Sequence, residues 1–292
     1  MPAHSAVERS IRAVRKTLTE PISKKLLREA GIAIPRGVVI EGPLEVAEAL
    51  RHLAFPVVAK IVSADVMHKS DVGGVRLNLT TARGVEEAVA ALEDAATRSM
   101  ARLDGYLIEE MAPPGVEMVI GGIHDPCFGP MVMVGMGGIH VEVFEDVCYR
   151  LCPITPEEAA GMLHELRCAR LLDGIRGTAP CSREALIDIL LKLGGEGGFL
   201  MRNPSIVEVD LNPVIVSAKS AVVADAAIVQ CNPTNAKPGQ GAALAISVLE
   251  QFRPLFEPST VAVIGASAGS SNAANTFIRR LRAFGFSGAI YP

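Results

Sequence analysis

Tryptophan is missing from this 292-residue sequence, and aromatic residues together make up only 4% of it. A core without large rings must be built from Val, Ile, Leu, Ala and Met. The stacking platforms that hold single-stranded nucleic acid are excluded with them. Excess positive charge is lacking as well: 28 Lys and Arg face 32 Asp and Glu, for a net charge of −4 and a pI near 5.9. That balance argues against general affinity for DNA or an anionic membrane, and leaves room for a local basic pocket. Long apolar runs are scarce. The longest uncharged stretches, such as Pro126 to Val141, are cut by Gly and Pro and are too short to span a bilayer. The opening residues MPAHSAVERSIRAVRK carry no apolar stretch of the kind a secretion signal needs. The six cysteines include no Cys-x-x-Cys pair, and no His or Cys lies near Cys148 and Cys152 to complete a zinc set. Reduced thiols in a cytoplasmic protein are the expectation.

What is present is a composition that folds. Hydrophobic residues make up 49% and charged residues 21%, enough for a sizeable core in one large or two ordinary domains. Residues 1–16 read as a polar helix or arm with Arg9, Arg12, Arg15 and Lys16 on a solvated face. Helical and strand patterns then alternate. PISKKLLREAG is a helix stopped by Gly31. RGVVIE, FPVVAKIV and GGVRLNLT read as strands, and PLEVAEALRHL and RGVEEAVAALEDAATRS as helices. From Tyr106 strands dominate, in YLIEEM, VEMVIGGIHD, GPMVMVGMG and YRLCPI. Two helices follow, PEEAAGMLHEL and SREALIDILLKL. SIVEVDLNPVIVS reads as a strand broken at Pro213, and SAVVADAAIV as one further strand. CNPTNAKPGQG, residues 231–241, is a linker. Beyond it, TVAVIGAS, a helix and GAIYP form the opening βαβ of a Rossmann-like domain.

Seven features carry potential chemistry, each against a plainer reading. Lys60 ends the apolar strand PVVAK and presents one cation to a phosphate; alone, a lysine snorkelling at a strand end is the stronger reading. HKSDVGGV clusters His68, Lys69 and Ser70 before Gly73 and Gly74. A histidine titrating near neutrality can accept and return a phosphoryl group, and paired glycine amides can cradle a phosphate; a decorated β-turn competes evenly. EEMAPPGVE offers backbone near Glu110 and Met111 to an adenine and Glu117 to a ribose, against an ordinary acidic turn. GMGGIHVEV sets flexible backbone beside Glu142, and a glycine-rich hairpin is the stronger reading. Glu208, Asp210 and Asn212 alternate along one strand and share a face. Asp225, on an adjoining antiparallel strand, would complete an oxygen set suited to Mg²⁺, against a solvated sheet face. Arg176, in DGIRGTAP, is placed to bind a transferring phosphoryl group or is a loop arginine. Gly265 and Ser267, in VIGASAGSS, precede a helix whose N-terminus could take an anion, a weak signal alone.

Taken together, PVVAKIVSADVMHKSDVGGV, EEMAPPGVEMVIGGIHDPCFGP, GMGGIHVEV, LLDGIRGTAP and VEVDLNPVIV resemble the nucleoside-diphosphate-forming acyl-CoA synthetases, the superfamily of ADP-forming acetyl-CoA synthetase and succinyl-CoA synthetase. The resemblance covers roughly residues 17–230, in the family's order, and the tail looks like the start of the family's CoA-binding domain. It implies an α+β ATP-grasp fold, with an arm at 1–16, a first lobe at 17–105, a second at 106–230, a linker and short helix at 231–258, and a CoA-binding domain cut short at 259–292. The implied reaction is acid + CoA + ATP ⇌ acyl-CoA + ADP + phosphate, through an acyl phosphate and phosphohistidine. His68 resembles the histidine that exchanges phosphate with nucleotide. Lys60 and Arg176 resemble phosphate contacts, Asn212 and Asp225 Mg²⁺ ligands, and Glu117 the nucleotide-binding glutamate. The remaining CoA-ligase region would come from a missing domain or a partner subunit, in a homo- or hetero-oligomer. Two other readings stand beside this one: a nucleotide-binding regulatory module like those fused to protein lysine acetyltransferases, and another ATP-grasp ligase.

Overall fold

The computed structural model describes residues 15–66, 69–100, 102–138, 146–174, 179–231, 252–268 and 272–292. The chain divides into two compact units, Met1–Pro233 and Thr234–Pro292.

The first unit opens with strand β1 (Arg15–Leu18) and helix α1 (Glu20–Glu29). Four antiparallel strands then make a small sheet: β2 (Gly37–Ile40), β3 (Val57–Val62), β4 (Val75–Leu79) and β5 (Gly105–Glu110), in spatial order β2-β5-β3-β4. Every residue of β3 is buried, which accounts for its continuous apolar run. Two helices cover this sheet, α2 (Val46–Leu50) and α3 (Ala82–Arg98). Thr81 caps α3 by accepting from the amide of Gly84. Helical spacing brings Val85, Val89, Leu92 and Ala96 onto one buried face. Val85, Val89 and Leu92 join a core with Ile40, Val57, Ile61 and Ile108.

The larger lobe is a sheet ordered β1-β11-β9-β6-β7-β8, with β10 also paired to β9. Its strands are β6 (Val116–Asp125), β7 (Gly129–Met136), β8 (Val147–Leu151), β9 (Ile206–Val216), β10 (Ala221–Val223) and β11 (Ala226–Cys231). Helices α4 (Pro156–Glu165), α5 (Arg183–Gly194) and α6 (Phe199–Arg202) complete it. Thr155 and Glu158 form a reciprocal capping box at the start of α4. The core joins Met118, Ile120, Val132 and Leu211 of the sheet to Met162, Leu186 and Leu190 of the helices.

Four expectations are corrected here. Residues 15–18 are a strand on the edge of the larger sheet, with Arg15 opposite Cys231 and Leu18 opposite Ile228, and not part of a polar arm. Leu27 and Ile32 lie in the larger lobe's core, so the chain enters that lobe first and a first lobe starting at 17 does not hold. Strand β9 runs unbroken through Pro213. Its pairing with β6 steps from Ile120 opposite Leu211 to Met118 opposite Val214, leaving Asn212 and Pro213 against Val119 alone. That is a bulge, where a residue without an amide hydrogen costs the ladder nothing. The stretch expected as one strand at 220–229 is two, β10 and β11, interrupted at Ala224 and Asp225 while both stay antiparallel to β9.

The second unit has a helical segment at 252–256. Strand β12 (Thr260–Ala262), helix α7 (Ala273–Ala283) and strand β13 (Ala289–Tyr291) follow. β12 and β13 pair in parallel, which is the βαβ order expected from the sequence. Among the described residues no helix is long and apolar enough to cross a membrane.

Candidate nucleotide site

Two adjoining cavities open between the lobes of the first unit. The larger, about 610 Å³, is lined by Lys60, Lys69, Ser70, Asp210, Asn212 and Asp225 among others. The smaller, about 370 Å³, is lined by Val58, Met111, Pro113, Ile215 and the backbone stretch 109–115. Lys60, Leu77, Glu117, Pro213 and Ala224 line both, so they form one cleft with an apolar end and a charged end. Apolar walls beside a few convergent polar groups suit a small-molecule ligand. A flat ring matches the first end and phosphates with a metal the second.

The site residues expected from sequence divide by position. Lys60, Lys69, Ser70, Asp210, Asn212 and Asp225 reach the charged end, and Glu110 and Met111 the apolar end. Glu117 spans the two. Glu208 shares the strand face of Asp210 but does not line the cavity, since two residues along a strand carry it about 6.6 Å away. The amides of Gly73 and Gly74 do not cradle an anion. They close their own turn onto the carbonyls of Ser70 (3.0 Å) and Lys69 (2.7 Å). Gly74 is required by packing, because a Cβ there would lie 2.6 Å from Cδ1 of Ile61. The amides of Glu110 and Met111 also donate inside the protein, to the carbonyls of Arg36 and Pro56. His68 and Arg176 lie outside the described residues, as does Glu142. In the second unit the β12–α7 loop is tied by Asn272, which donates to the Gly265 carbonyl (3.0 Å) and to Ser267 Oγ (3.2 Å).

Beneath the charged end lies a group of ions that the sequence did not announce. Lys24 Nζ donates to both carboxylate oxygens of Glu109, at 2.8 and 2.6 Å, and to the Ala224 carbonyl at 2.7 Å. It also lies 2.7 Å from Glu20 Oε1. Lys60 Nζ donates to Glu20 Oε1 (2.6 Å) and to the same Ala224 carbonyl (2.7 Å), and sits 3.1 Å from Glu109 Oε2. Lys69 Nζ donates to both oxygens of Asp225 at 3.0 Å and lies 2.9 Å from Glu20 Oε2, off line for a hydrogen bond. Ionised, these three lysines and three carboxylates sum to zero. The Glu20, Glu109, Lys24 and Lys60 side chains are almost wholly buried, whereas Asp225 keeps 28% of its surface exposed. Burial works against every charge here. For Glu20 it is outweighed by Lys60, Lys24 and Lys69, which hold the carboxyl well below the usual carboxylate range. Lys60 is likewise held above its ordinary range, as Glu20, Glu109 and Asp225 overcome its burial. For Lys24, burial and the neighbouring Lys60 prevail and push the ammonium down.

Each of the three ammonium groups thus meets at least as many protein acceptors as it has protons. Sequence reasoning expected Lys60 to present its charge to a phosphate. Here it lines the cavity with its donors committed, and a phosphate must exchange with a carboxylate to reach it. The missed members, Glu20 and Lys24, do carry a signal: with Ser23 and Leu27 they are the buried residues of α1, at the i, i+3, i+4, i+7 spacing of an inward face.

The oxygen donors suit Mg²⁺. Asn212 and Asp225 face the cavity and are joined by a backbone bond from the Asn212 amide to the Asp225 carbonyl (3.2 Å). Asp210 lies on the same wall. No group of three or more His, Cys, Asp or Glu gathers as a cage among the described residues. Mg²⁺ fits such a set, since it takes one or two carboxylates and completes its shell with phosphates and water.

A family model described as an ATP-grasp domain matches residues 9–229. The beta subunit of ADP-forming acetate–CoA ligase I of Pyrococcus furiosus is 38% identical over 229 residues, covering 78% of this chain and 97% of that subunit. ADP-forming acetate–CoA ligase II of Archaeoglobus fulgidus is 36% identical over 275 residues, covering 94% of this chain but only 38% of the relative. The chain therefore spans nearly all of a separate beta subunit and little more than a third of that longer ligase. Acetyl-coenzyme A synthetase 1 of Ca. Korarchaeum cryptofilum, solved with coenzyme A, Ca-AMPCP and HgCl+, superposes with a TM-score of 0.70 at 38% identity, covering 78% of this chain and 99% of that one. The same protein solved with coenzyme A and Mg-AMPPCP, its phosphohistidine segment pointing towards the nucleotide binding site, gives 0.63. With the two-lobed cleft and these relatives in hand, the chain belongs to the ATP-grasp proteins, among the ADP-forming acyl-CoA synthetases.

Proposed function

We propose that this chain is the nucleotide-binding portion of an ADP-forming acid–thiol ligase, whose whole reaction is acid + CoA + ATP ⇌ acyl-CoA + ADP + phosphate. The observation that carries the reading is the single cleft with an apolar end at 109–115 and a charged end at Lys60, Lys69, Asn212 and Asp225. The base and sugar would occupy the first end, with Glu117 between base and phosphates. The phosphates and Mg²⁺ would occupy the second, the metal held by Asn212 and Asp225 with Asp210 beside them. Mg²⁺ would supply charge neutralisation of the phosphates. His68 would exchange phosphate with the nucleotide and Arg176 would bind the group in transfer.

The length of the relatives supports a shared reaction. A beta subunit of nearly this extent works as part of a larger enzyme by its own name, so the CoA-ligase region would be supplied by another domain or subunit. The parallel β12–α7–β13 unit would be the start of a CoA-binding domain. The names of these relatives favour a ligase over a regulatory module.

Calorimetric titration with MgATP and MgADP tests the reading. Micromolar binding lost in EDTA and weakened at least tenfold in Asp225→Ala is expected. Nucleotide binding that is indifferent to both metal and Asp225 overturns it. For His68, a phosphate label that is absent from His68→Ala in the presence of the partner region is expected; equal labelling overturns its role.

A further inference from the structure

Lys69 differs from the other two lysines beneath the cleft. Lys24 and Lys60 are anchored to the Ala224 carbonyl, each at 2.7 Å, and these bonds do not depend on any carboxylate. Lys69 has carboxylates only: Asp225 at 3.0 Å through both oxygens and Glu20 Oε2 at 2.9 Å. It also lines the larger cavity, together with Asp225. Asp225 is the most exposed member of the group, at 28%. Its Oδ1 accepts from its neighbour's amide, that of Ala226, at 2.8 Å, which fixes the carboxylate in place.

We propose that Lys69 is a resident counter-ion for the metal site: it neutralises Asp225 while the cleft is empty, yields that carboxylate to the divalent cation, and turns its charge to the nucleotide phosphates. The idea rests on the reading of Asp225 as a metal ligand. Three observations support the exchange. Lys69 already neutralises Asp225 through both carboxylate oxygens, so a cation must compete with it for that carboxylate. Glu20 Oε2 has no hydrogen-bond donor of its own, so it remains a partner for Lys69 after the exchange. The cavity that Lys69 borders is large enough, at about 610 Å³, for phosphates within reach of a flexible four-carbon stem. Metal and nucleotide binding are thereby coupled through one ammonium group: the metal alone must compete with Lys69, whereas metal and phosphate together give Asp225 a cation and Lys69 an anion.

The consequence has opposite signs for two ligands, which a merely structural lysine would not produce. The whole chain and its Lys69→Met variant are titrated with Mn²⁺ alone, followed by electron paramagnetic resonance, and with MgADP by calorimetry. In Lys69→Met, Mn²⁺ binding tightens at least threefold while MgADP binding weakens at least tenfold. Lys69→Arg, which keeps the cation, stays within twofold of the wild-type Mn²⁺ affinity. Should Lys69→Met not fold, Lys69→Gln takes its place with the same expected signs. Mn²⁺ binding that is equal or weaker in the variant, including none detected in either chain, overturns the proposal. Asp225→Asn separates this from the underlying reading. If it binds Mn²⁺ as the wild type does, Asp225 is not a ligand and the reading itself fails; if it loses Mn²⁺, the sign of the Lys69→Met change decides the exchange.

Discussion

Removing Lys24 should be the most costly single change in this protein outside its apolar core. In Lys24→Met, Glu109 loses a partner that met both its oxygens, at 2.8 and 2.6 Å, and is left with Lys60 at 3.1 Å. Its side chain is 2% exposed, so water cannot replace what is lost. Breaking a buried ion pair by deleting one partner costs about 3–5 kcal/mol, because the survivor stays buried and uncompensated. That is a large share of the roughly 5–15 kcal/mol by which domains are stable. With a urea slope of about 2–3 kcal/mol/M, the unfolding midpoint falls by roughly 1–2.5 M. Circular dichroism across a urea series reads this directly. Taking away the orphaned charge as well, in Lys24→Met/Glu109→Gln, should recover part of the loss, since the penalty lies in the unpaired ion more than in the missing bond. A single variant that costs less than about 1 kcal/mol, or a double variant worse than the single, would refute the reasoning. Either result would mean that these charges are hydrated in solution.

Two further outcomes follow from the same geometry. Glu20 is held well below the usual carboxylate range by Lys60, Lys24 and Lys69 against its burial, while in the unfolded chain it takes up a proton near pH 4.3. The unfolded state therefore binds more protons below about pH 5, and stability present above that pH is lost as acid is added; Glu20→Gln should flatten this acid limb in denaturation curves measured from pH 7 to pH 3, and an unchanged slope would speak against it. Gly74→Ala places a methyl 2.6 Å from Cδ1 of Ile61 and 2.9 Å from the Lys69 carbonyl, so a loss of about 1–3 kcal/mol is expected, read as a lower thermal midpoint; a midpoint at the wild-type value would show that the turn gives way freely.

Much of the architecture was legible because the first unit obeys simple periods. The helix at 82–98 and the strands at 57–62 and 105–110 lie where the runs of apolar residues put them. The opening strand was not, since RKTL has no apolar pattern and is a strand only because β11 lies beside it. Pro213 suggested a break because a single sequence does not show the partner strand; the bulge opposite Val119 absorbs it. At the site, Lys60, Asn212 and Asp225 were found because each is a polar residue within or beside an apolar strand run, and Lys69 because it opens the turn that Gly73 and Gly74 close. Glu20 and Lys24 escaped for one physical reason. Charged residues at helical spacing usually face water, and here the inward stripe of α1 is polar while Ile22 of the same helix is half exposed. Only partners 85 and 200 residues away, at Glu109 and Ala224, explain that inversion.

The order in which the strands appear along the chain has a consequence for synthesis. The smaller lobe comes from one continuous stretch, residues 37–110, and has its own core. The larger sheet draws on residues 15–18, 116–151 and 206–231, and pairings of high sequence separation form slowly. As the polypeptide leaves the ribosome, the smaller lobe can fold while α1 still waits for the strands that will cover it. Ala224 and Asp225 emerge last among these groups, and only then do Lys24, Lys60 and Lys69 meet their last acceptors. A product of translation interrupted before residue 224 would therefore hold a folded smaller lobe beside lysines that lack these acceptors.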